Sequence, residues 1–308
     1  MKVLFLGSSH FSKIVLENML NNGMNICGVI TQPDRPSGRG HKLTPTEVKT
    51  FALEKGIEVF TFEKIRLSMD EVKQIDYDIS VVASFGQILP QEFLDHKPCI
   101  NVHPSLLPLY RGASPIQSAI LNGDKITGVS IMKVAMEVDA GDIISQQQVE
   151  MNGESYCQLE DRLAGIGGQM ASEVVNQYAR GEVKFTPQQH DKATFTKKFS
   201  KNDCMIDFDE NAEKIVNQVR ALGEEYGCYF AIDGQIFKTS KEADVSGEFS
   251  VLPFEILNNR KRFVIGCNNG AIEILTLTPP SGKQVAGRDY LNGHNEILTK
   301  RAGKCLQI

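Results

Sequence analysis

The chain has 308 residues, 41% of them hydrophobic and 23% charged, with a formal net charge of −5. That length suits two domains of about 100–200 residues each, and the composition excludes a largely disordered chain. The acidic balance argues against a surface that binds nucleic acid everywhere and leaves room only for a local basic patch. No apolar run approaches the ~20 residues that cross a bilayer.

The opening MKVLFLGSS is too short an apolar stretch for a secretory leader and reads as a strand ending in a turn, which predicts a cytoplasmic protein. Residues 11–20 carry Phe11, Ile14, Val15, Met19 and Leu20 at helical spacing. Strand-like runs follow at 26–31, 58–62, 79–84, 99–102 and 128–134, with a helical pattern at 46–54. This alternation predicts an α/β domain: a mostly parallel, Rossmann-like sheet with helices on both faces and a ligand site at the C-terminal ends of its strands. The first turn, Gly7 to Ser12, lacks GxGxxG, and no GxxxxGK[ST] loop exists, so dinucleotide and triphosphate sites are disfavoured. Residues 154–180 read as one long helix, and 181–203, rich in Thr, Gln and Lys, as a linker. A helical pattern at Ile215, Val216, Val219 and Leu222 opens the remainder. Short strands at 229–232, 235–239, 262–267 and 271–277 follow, broken by Asp233-Gly234 and Asn269-Gly270, and predict a small C-terminal β-barrel of OB-like kind. The expected division is 1–186, a linker at 187–205, and 206–308. Seven scattered cysteines, Cys27, Cys99, Cys157, Cys204, Cys228, Cys267 and Cys305, never form a CxxC pair, which predicts free thiols and no zinc site.

Two segments carry candidate chemistry. Asn101-Val102-His103-Pro104-Ser105-Leu106-Leu107-Pro108 follows a buried-strand run. Residues two apart on an extended chain project to one side, so Asn101 and His103 share a face at a strand end. Such a pair is either a turn-capping device or a catalytic pair. Val138-Asp139-Ala140-Gly141-Asp142 places a carboxylate on a later loop, either a solvated turn or a partner for His103.

INVHPSLLPLYRGASPIQSAILNGD followed by VDAGD resembles the folate-dependent formyltransferase family. The resemblance implies 10-formyltetrahydrofolate as formyl donor and, as acceptor, an amine on glycinamide ribonucleotide, an amino sugar or methionyl-tRNA. It assigns catalysis to Asn101, His103 and Asp139. Residues 32–49, QPDRPSGRGHKLTPTEVK, are similar to the insertion that marks the branch acting on initiator methionyl-tRNA, which implies tRNA contacts from Arg35, Arg39 and Lys42. SFGQILP, 84–90, resembles the family's folate-lining strand and turn, implying roles for Phe85, Gly86 and Ile88, with Ser105, Leu106, Leu107 and Pro108 as a pterin wall. Residues 193–208 and 275–293 resemble the family's linker and last C-terminal motif. One departure stands out: the family's Trp-containing segment corresponds to Arg220–Gly227 here, and the chain has no Trp.

These residues suit acyl transfer to an amine. Asn101 and an imidazolium at His103 are donors for a developing oxyanion, and Asp139 orients His103 or holds a proton-shuttling water. Neither a metal nor a covalent nucleophile is required, and no stable protein partner is expected. His10, His41, His96, His190 and His294 lack partners in sequence and read as surface or packing residues; Leu106 and Leu107 have a pure core role as their alternative. Lys192, Lys197, Lys198 and Lys201 extend a tRNA footprint or only solvate the linker. The rival readings are a formyltransferase for a nucleotide-linked amino sugar and a non-catalytic folate- or RNA-binding relative.

Overall fold

A computed structural model describes residues 1–37, 42–244, 247–249, 251–257, 262–280 and 282–303. Arg39 and His41 lie outside the described residues. The chain forms two units, the first from Met1–Pro115, Ile126–Met151 and Leu159–Thr196, the second from Ile116–Lys125, Asn152–Gln158 and Lys197–Ile308.

In chain order the elements begin β1 (Lys2–Gly7), α1 (His10–Asn21), β2 (Asn25–Thr31), β3 (Arg35–Ser37), β4 (Lys42–Thr44), α2 (Glu47–Glu54), β5 (Val59–Thr61) and α3 (Met69–Val72). They continue with β6 (Ile79–Ala83), α4 (Gln91–His96), β7 (Cys99–His103), β8 (Arg111–Gly112), α5 (Pro115–Leu121), β9 (Ile126–Lys133), β10 (Ile143–Glu150), α6 (Tyr156–Arg180) and β11 (Phe195–Thr196). The main sheet of the first unit has the order β10-β9-β7-β6-β1-β2-β5. From β5 to β7 it is parallel, while β9 runs antiparallel to β7 and β10 antiparallel to β9. Val3 to Leu6 and Ile79 to Ala83 are buried throughout, which is why they read as apolar runs, broken only by Ser80: a sheet covered on both faces has no polar alternation. Ser9 and Ser12 form a capping box that starts α1, and Ser12 Oγ also donates to the Ala83 carbonyl, tying the helix to β6. Several elements were not expected from sequence, among them an edge strand and a hairpin of the first unit. β10 is an edge strand whose Gln146-Gln147-Gln148 run carries no apolar signal, since backbone pairing, Val149 and a polar bond from Gln146 to Ser130 tie it to the sheet. β3 and β4 pair as a hairpin within the segment read as a loop. Residues 187–196, read as the start of a linker, belong to the first unit, where β11 pairs parallel with β8.

The second unit holds α7 (Ala212–Tyr226), β12 (Cys228–Ile232), β13 (Gln235–Thr239), β14 (Glu242–Asp244), β15 (Val264–Cys267), β16 (Gly270–Ile274), β17 (Thr276–Leu277), β18 (Val285–Ala286), α8 (Gly287–Gly293) and β19 (Ala302–Gly303). Asn211 caps α7 by accepting from the Lys214 amide at 2.8 Å. Asp233 and Gly234, at φ 52° and 75°, close the β12–β13 hairpin with the left-handed pair that such tight turns need. Three small antiparallel sheets, β13-β12-β19, β14-β16-β15 and β17-β18, are stitched by the bridges Lys238↔Thr278, Glu255↔Arg301 and Ile256↔Ile265 in a barrel-like module. Its core is aromatic: ring centroids lie 5.7 Å apart for Phe208–Phe230, 6.0 Å for Phe230–Phe237 and 5.7 Å for Phe237–Tyr290. Where the family has its Trp segment, α7 simply continues to Tyr226 and buries Ala221 and Leu222. Glu242 is buried with neither carboxylate oxygen hydrogen-bonded among the described residues, and burial pushes its carboxyl well above the usual carboxylate range.

Candidate active site

β7 ends at the middle of the sheet, between β6 and β9, with Asn101 registered against Met132 and His103 against Ser130. The pleat turns both side chains to one face, and the loop after β9 brings Asp139 to them. His103 is 4% exposed. Asn101 Nδ2 lies 3.5 Å from Asp139 Oδ1, and His103 Nδ1 lies 3.7 Å from Asp139 Oδ2. The structure therefore brings the three expected residues together, with Asp139 too far from His103 Nδ1 for a direct hydrogen bond. The ring of His103 is held by Nε2, 3.0 Å from the Tyr110 carbonyl. A carbonyl only accepts, so that nitrogen carries the proton, and Nδ1 is the atom turned to Asp139. The carboxylate is anchored instead by the Gly112 amide, which donates to Oδ2 at 2.8 Å.

The anchor depends on an irregular segment. Gly112 has φ 111°, and a Cβ there would crowd the Thr196 backbone, so only glycine lets β8 lie against β11 and aim its N–H at Asp139. Tyr110, at φ 61°, donates its amide to Thr194 Oγ1 at 2.8 Å while its carbonyl meets His103. Asp139 itself has φ 50°. Arg111, 1% exposed, donates through Nε and Nη2 to Gln188 Oε1 at 3.2 and 2.8 Å. Sequence reasoning gave no role to Tyr110, Arg111, Gly112 or Gln188. The first three stand inside the quoted Tyr-Arg-Gly motif, whose buried arginine was the available signal; Gln188 sits in a polar stretch that offers none.

The candidate folate residues fall into two sets. Ser105 Oγ donates to the Leu109 carbonyl at 2.6 Å, Ser130 Oγ donates to the Ser105 carbonyl at 2.6 Å, and Ser130 Oγ accepts from the Leu107 amide at 3.0 Å. Gln146 Nε2 reaches the Leu107 carbonyl at 2.8 Å. Ser105 and the buried Leu107 thus fix the loop to β9 and β10, while Leu106 and Pro108 are half-buried. In the other set, Phe85 packs its ring into the core below β6, and its carbonyl accepts from Gln32 Nε2 at 3.1 Å and Ser8 Oγ at 3.3 Å. Gly86 turns the chain at φ 82°, and Ile88 is 80% exposed.

Arg35 and Lys42 are exposed on the β3–β4 hairpin, Arg35 in an ion pair with Glu63 at 2.7 Å. Three histidines read as unpartnered do have hydrogen-bond partners, His294 through Nδ1 at 2.9 Å from the Tyr290 carbonyl. His10 joins Glu47 at 2.7 Å and Asp161 at 2.9 Å, and chiefly the Glu47 contact raises its imidazole above the ordinary value. His190 Nδ1 lies 3.1 Å from Arg111 Nη2. Among the described residues no cluster of His, Cys, Asp and Glu could hold a metal, and no helix is long and apolar enough to cross a membrane.

The formyl transferase family model matches residues 1–175, and the formyl transferase C-terminal domain model matches 198–295. A methionyl-tRNA formyltransferase of Sulfurihydrogenibium sp. is 37% identical over 302 residues, covering 96% of this chain and 97% of the relative. That of Bacillus subtilis is 35% identical over 299 residues, covering 95% and 94%. Among solved structures, an N-formyltransferase from Helicobacter canadensis superposes with a TM-score of 0.67 at 19% identity, covering 89% of this chain and 98% of that one. HypX from Aquifex aeolicus, solved with tetrahydrofolic acid, gives 0.64 at 18% identity over 97% of this chain; the chain spans about half of HypX, 48%. At these identities the two structures share the fold.

Proposed function

The chain belongs to the formyl transferase family, and from that premise we propose that it transfers the formyl group of 10-formyltetrahydrofolate to the free amino group of initiator methionyl-tRNA. The observation that carries the chemistry is the meeting of Asn101, His103 and Asp139 at the end of β7. The full-length kinship with enzymes named for methionyl-tRNA supports the acceptor.

The donor, when bound, supplies a formyl carbonyl on a nitrogen that must leave protonated. The protein's share is to hold charge and move one proton. The Asn101 amide N–H is a preorganised donor for negative charge on the formyl oxygen, a contribution of about 3–4 kcal/mol for one such donor in acyl transfer. His103 has its Nε2–H committed to Tyr110, so proton exchange falls to Nδ1, the ring nitrogen that the Asp139 carboxylate faces. The 3.7 Å between them is too long for a direct hydrogen bond and suits a bridging water. The acceptor amine loses a proton as the leaving nitrogen gains one, and one relay at Nδ1 serves both transfers.

For the flat pterin of the donor, the supports are the half-buried Leu106 and Pro108, the exposed Ile88, and the backbone edges of the left-handed turn at Ser84 and Gly86. A rigid wall stapled through Ser105, Ser130 and Gln146 fits that use. Arg35 and Lys42, with Arg39 outside the described residues, are the proposed phosphate contacts on the tRNA. The place of action is the cytoplasm.

The test incubates the purified chain with 10-formyltetrahydrofolate and initiator tRNA, charged with methionine or uncharged, and reads the mass of the released aminoacyl group. Formylmethionine from the charged tRNA alone is the expected result. Transfer to a nucleotide-linked 3-amino sugar and not to the tRNA would overturn the acceptor assignment.

A further inference from the structure

Asp139 sits in the left-handed backbone region, φ 50°, which an aspartate tolerates but which its neighbours must hold if the carboxylate is to stay in place. The Gly112 amide holds the carboxylate, but a single hydrogen bond to a side chain does not set the backbone behind it. What does so is Gln188. Its Nε2 donates to the Asp139 carbonyl at 2.9 Å and to the Gly141 carbonyl at 2.7 Å, while its Oε1 accepts two N–H bonds from Arg111. All four hydrogen-bonding capacities of the amide are used, and the residue is 5% exposed. Reversing the amide would set its NH2 against the guanidinium and its oxygen against two carbonyls, so the network admits one orientation. Gly141 completes the loop: a Cβ there would collide with the Lys133 carbonyl, and Lys133 N–H meanwhile holds the Asp142 carbonyl at 2.9 Å.

Arg111 and Gly112 thus grip Asp139 from two sides. Gly112 fixes the carboxylate directly, and Arg111 fixes the backbone through Gln188. The grip extends along the chain beyond Gln188, where Thr194 O accepts from the Arg111 amide at 2.9 Å and β11 pairs with β8.

We propose that Gln188 is a positioning residue for the transfer reaction, with the stretch from Gln188 to Thr196 an arm of the active centre that holds Asp139 at its working distance from Asn101 and His103. This rests on the reading of Asp139 as catalytic. Misplacing a reacting group by about 1 Å costs on the order of 100-fold in rate.

Gln188→Glu separates positioning from mere stability. The carboxylate keeps a partner for Arg111, with a charge-assisted pair in place of a neutral one, yet it has no N–H for the Asp139 and Gly141 carbonyls. The expected result is a fall in kcat of about 30–100-fold, with folate affinity within about twofold, read at a temperature where the variant is fully folded, since an oxygen facing two carbonyls also lowers the thermal midpoint. Hydrogen exchange in residues 137–142 should quicken while β1 and β6 stay protected. On an Asp139→Asn background the same change should cost less than about threefold, because the group being positioned is already disabled. Wild-type kcat in Gln188→Glu beside an inactive Asp139→Asn would overturn the proposal and leave the reading of the site intact. So would full additivity of the two changes. An active Asp139→Asn would instead overturn the reading of the site and the proposal with it. Should Gln188→Glu not fold, Gln188→Ala at 15 °C gives the same comparison, its gap open to water.

Discussion

The two units bury their interiors by different means. The first buries whole strands of one seven-stranded sheet, such as Val3 to Leu6 and Ile79 to Ala83, and the candidate site lies where a strand of that sheet stops. The second builds on strands of two to five residues and fills its core with the rings of Phe208, Phe230, Phe237 and Tyr290. The difference teaches where function can be built. A strand inside a seven-stranded sheet gives a rigid platform with one free end, and Asn101 and His103 stand on β7 within that sheet. The second unit offers no such end, and its one deeply buried carboxylate, Glu242, has no hydrogen-bond partner among the described residues.

Phe230→Ala should break this contrast most sharply. Removing a ring central to the aromatic core costs about 3–5 kcal/mol, and the loss should stay in the second unit. Hydrogen exchange should show β12 and β13 deprotected with β1 and β6 unchanged; equal loss in both would mean that the two units do not differ as described.

In the first unit, Asn101→Ala and His103→Ala should each lower kcat by about 100-fold or more without moving the thermal midpoint. The double variant should be little worse than either, because groups serving one charge act as a unit. Multiplication of the two losses in steady-state kinetics would contradict a shared role.

Glu242→Gln sharpens the comparison from the other side. The folded-state carboxyl is raised above its unfolded value, so the protonated acid's contribution is full below the ordinary carboxylate range and is lost as pH rises through the raised value. The neutral amide has no such loss. Denaturant titrations should therefore find the variant more stable at pH 8, by about 1–3 kcal/mol, and equal to the parent near pH 4. A gain independent of pH would exclude ionisation as its cause.

The smallest effect is expected on the β3–β4 hairpin. Lys42→Ala should reduce the slope of tRNA affinity against salt by about one unit and leave folate affinity alone. An unchanged slope would remove Lys42 from the tRNA footprint.

What could be read in the sequence followed from this same contrast. β1, β6, β7 and β9 are legible because a strand buried on both faces is mostly apolar, and the Asn-x-His spacing then puts two polar side chains together at a strand end. β10 was hidden, since its Ser-Gln-Gln-Gln run is held by backbone pairing at an edge. Gln188 was hidden for a related reason: its meaning lies in carbonyls 47 and 49 residues away and in an arginine 77 residues away, none marked by local pattern. The partners of His10 lie 37 and 151 residues off, so a lone histidine in sequence was no guide to its contacts. Phe85, placed in the folate wall by resemblance, has its ring in the core and can offer a ligand only its backbone.

The most direct test is the single-turnover rate of formyl transfer to methionyl initiator tRNA by Asp139→Asn, with folate and tRNA saturating. Asparagine keeps the size of the side chain and an acceptor for the Gly112 amide, but it removes the negative charge that faces His103 Nδ1. The expected result is a rate at least about 100-fold below the parent, with both affinities and the thermal midpoint unchanged. A rate within a few fold of the parent would contradict the account, because proton transfer would then not depend on the charge at Asp139.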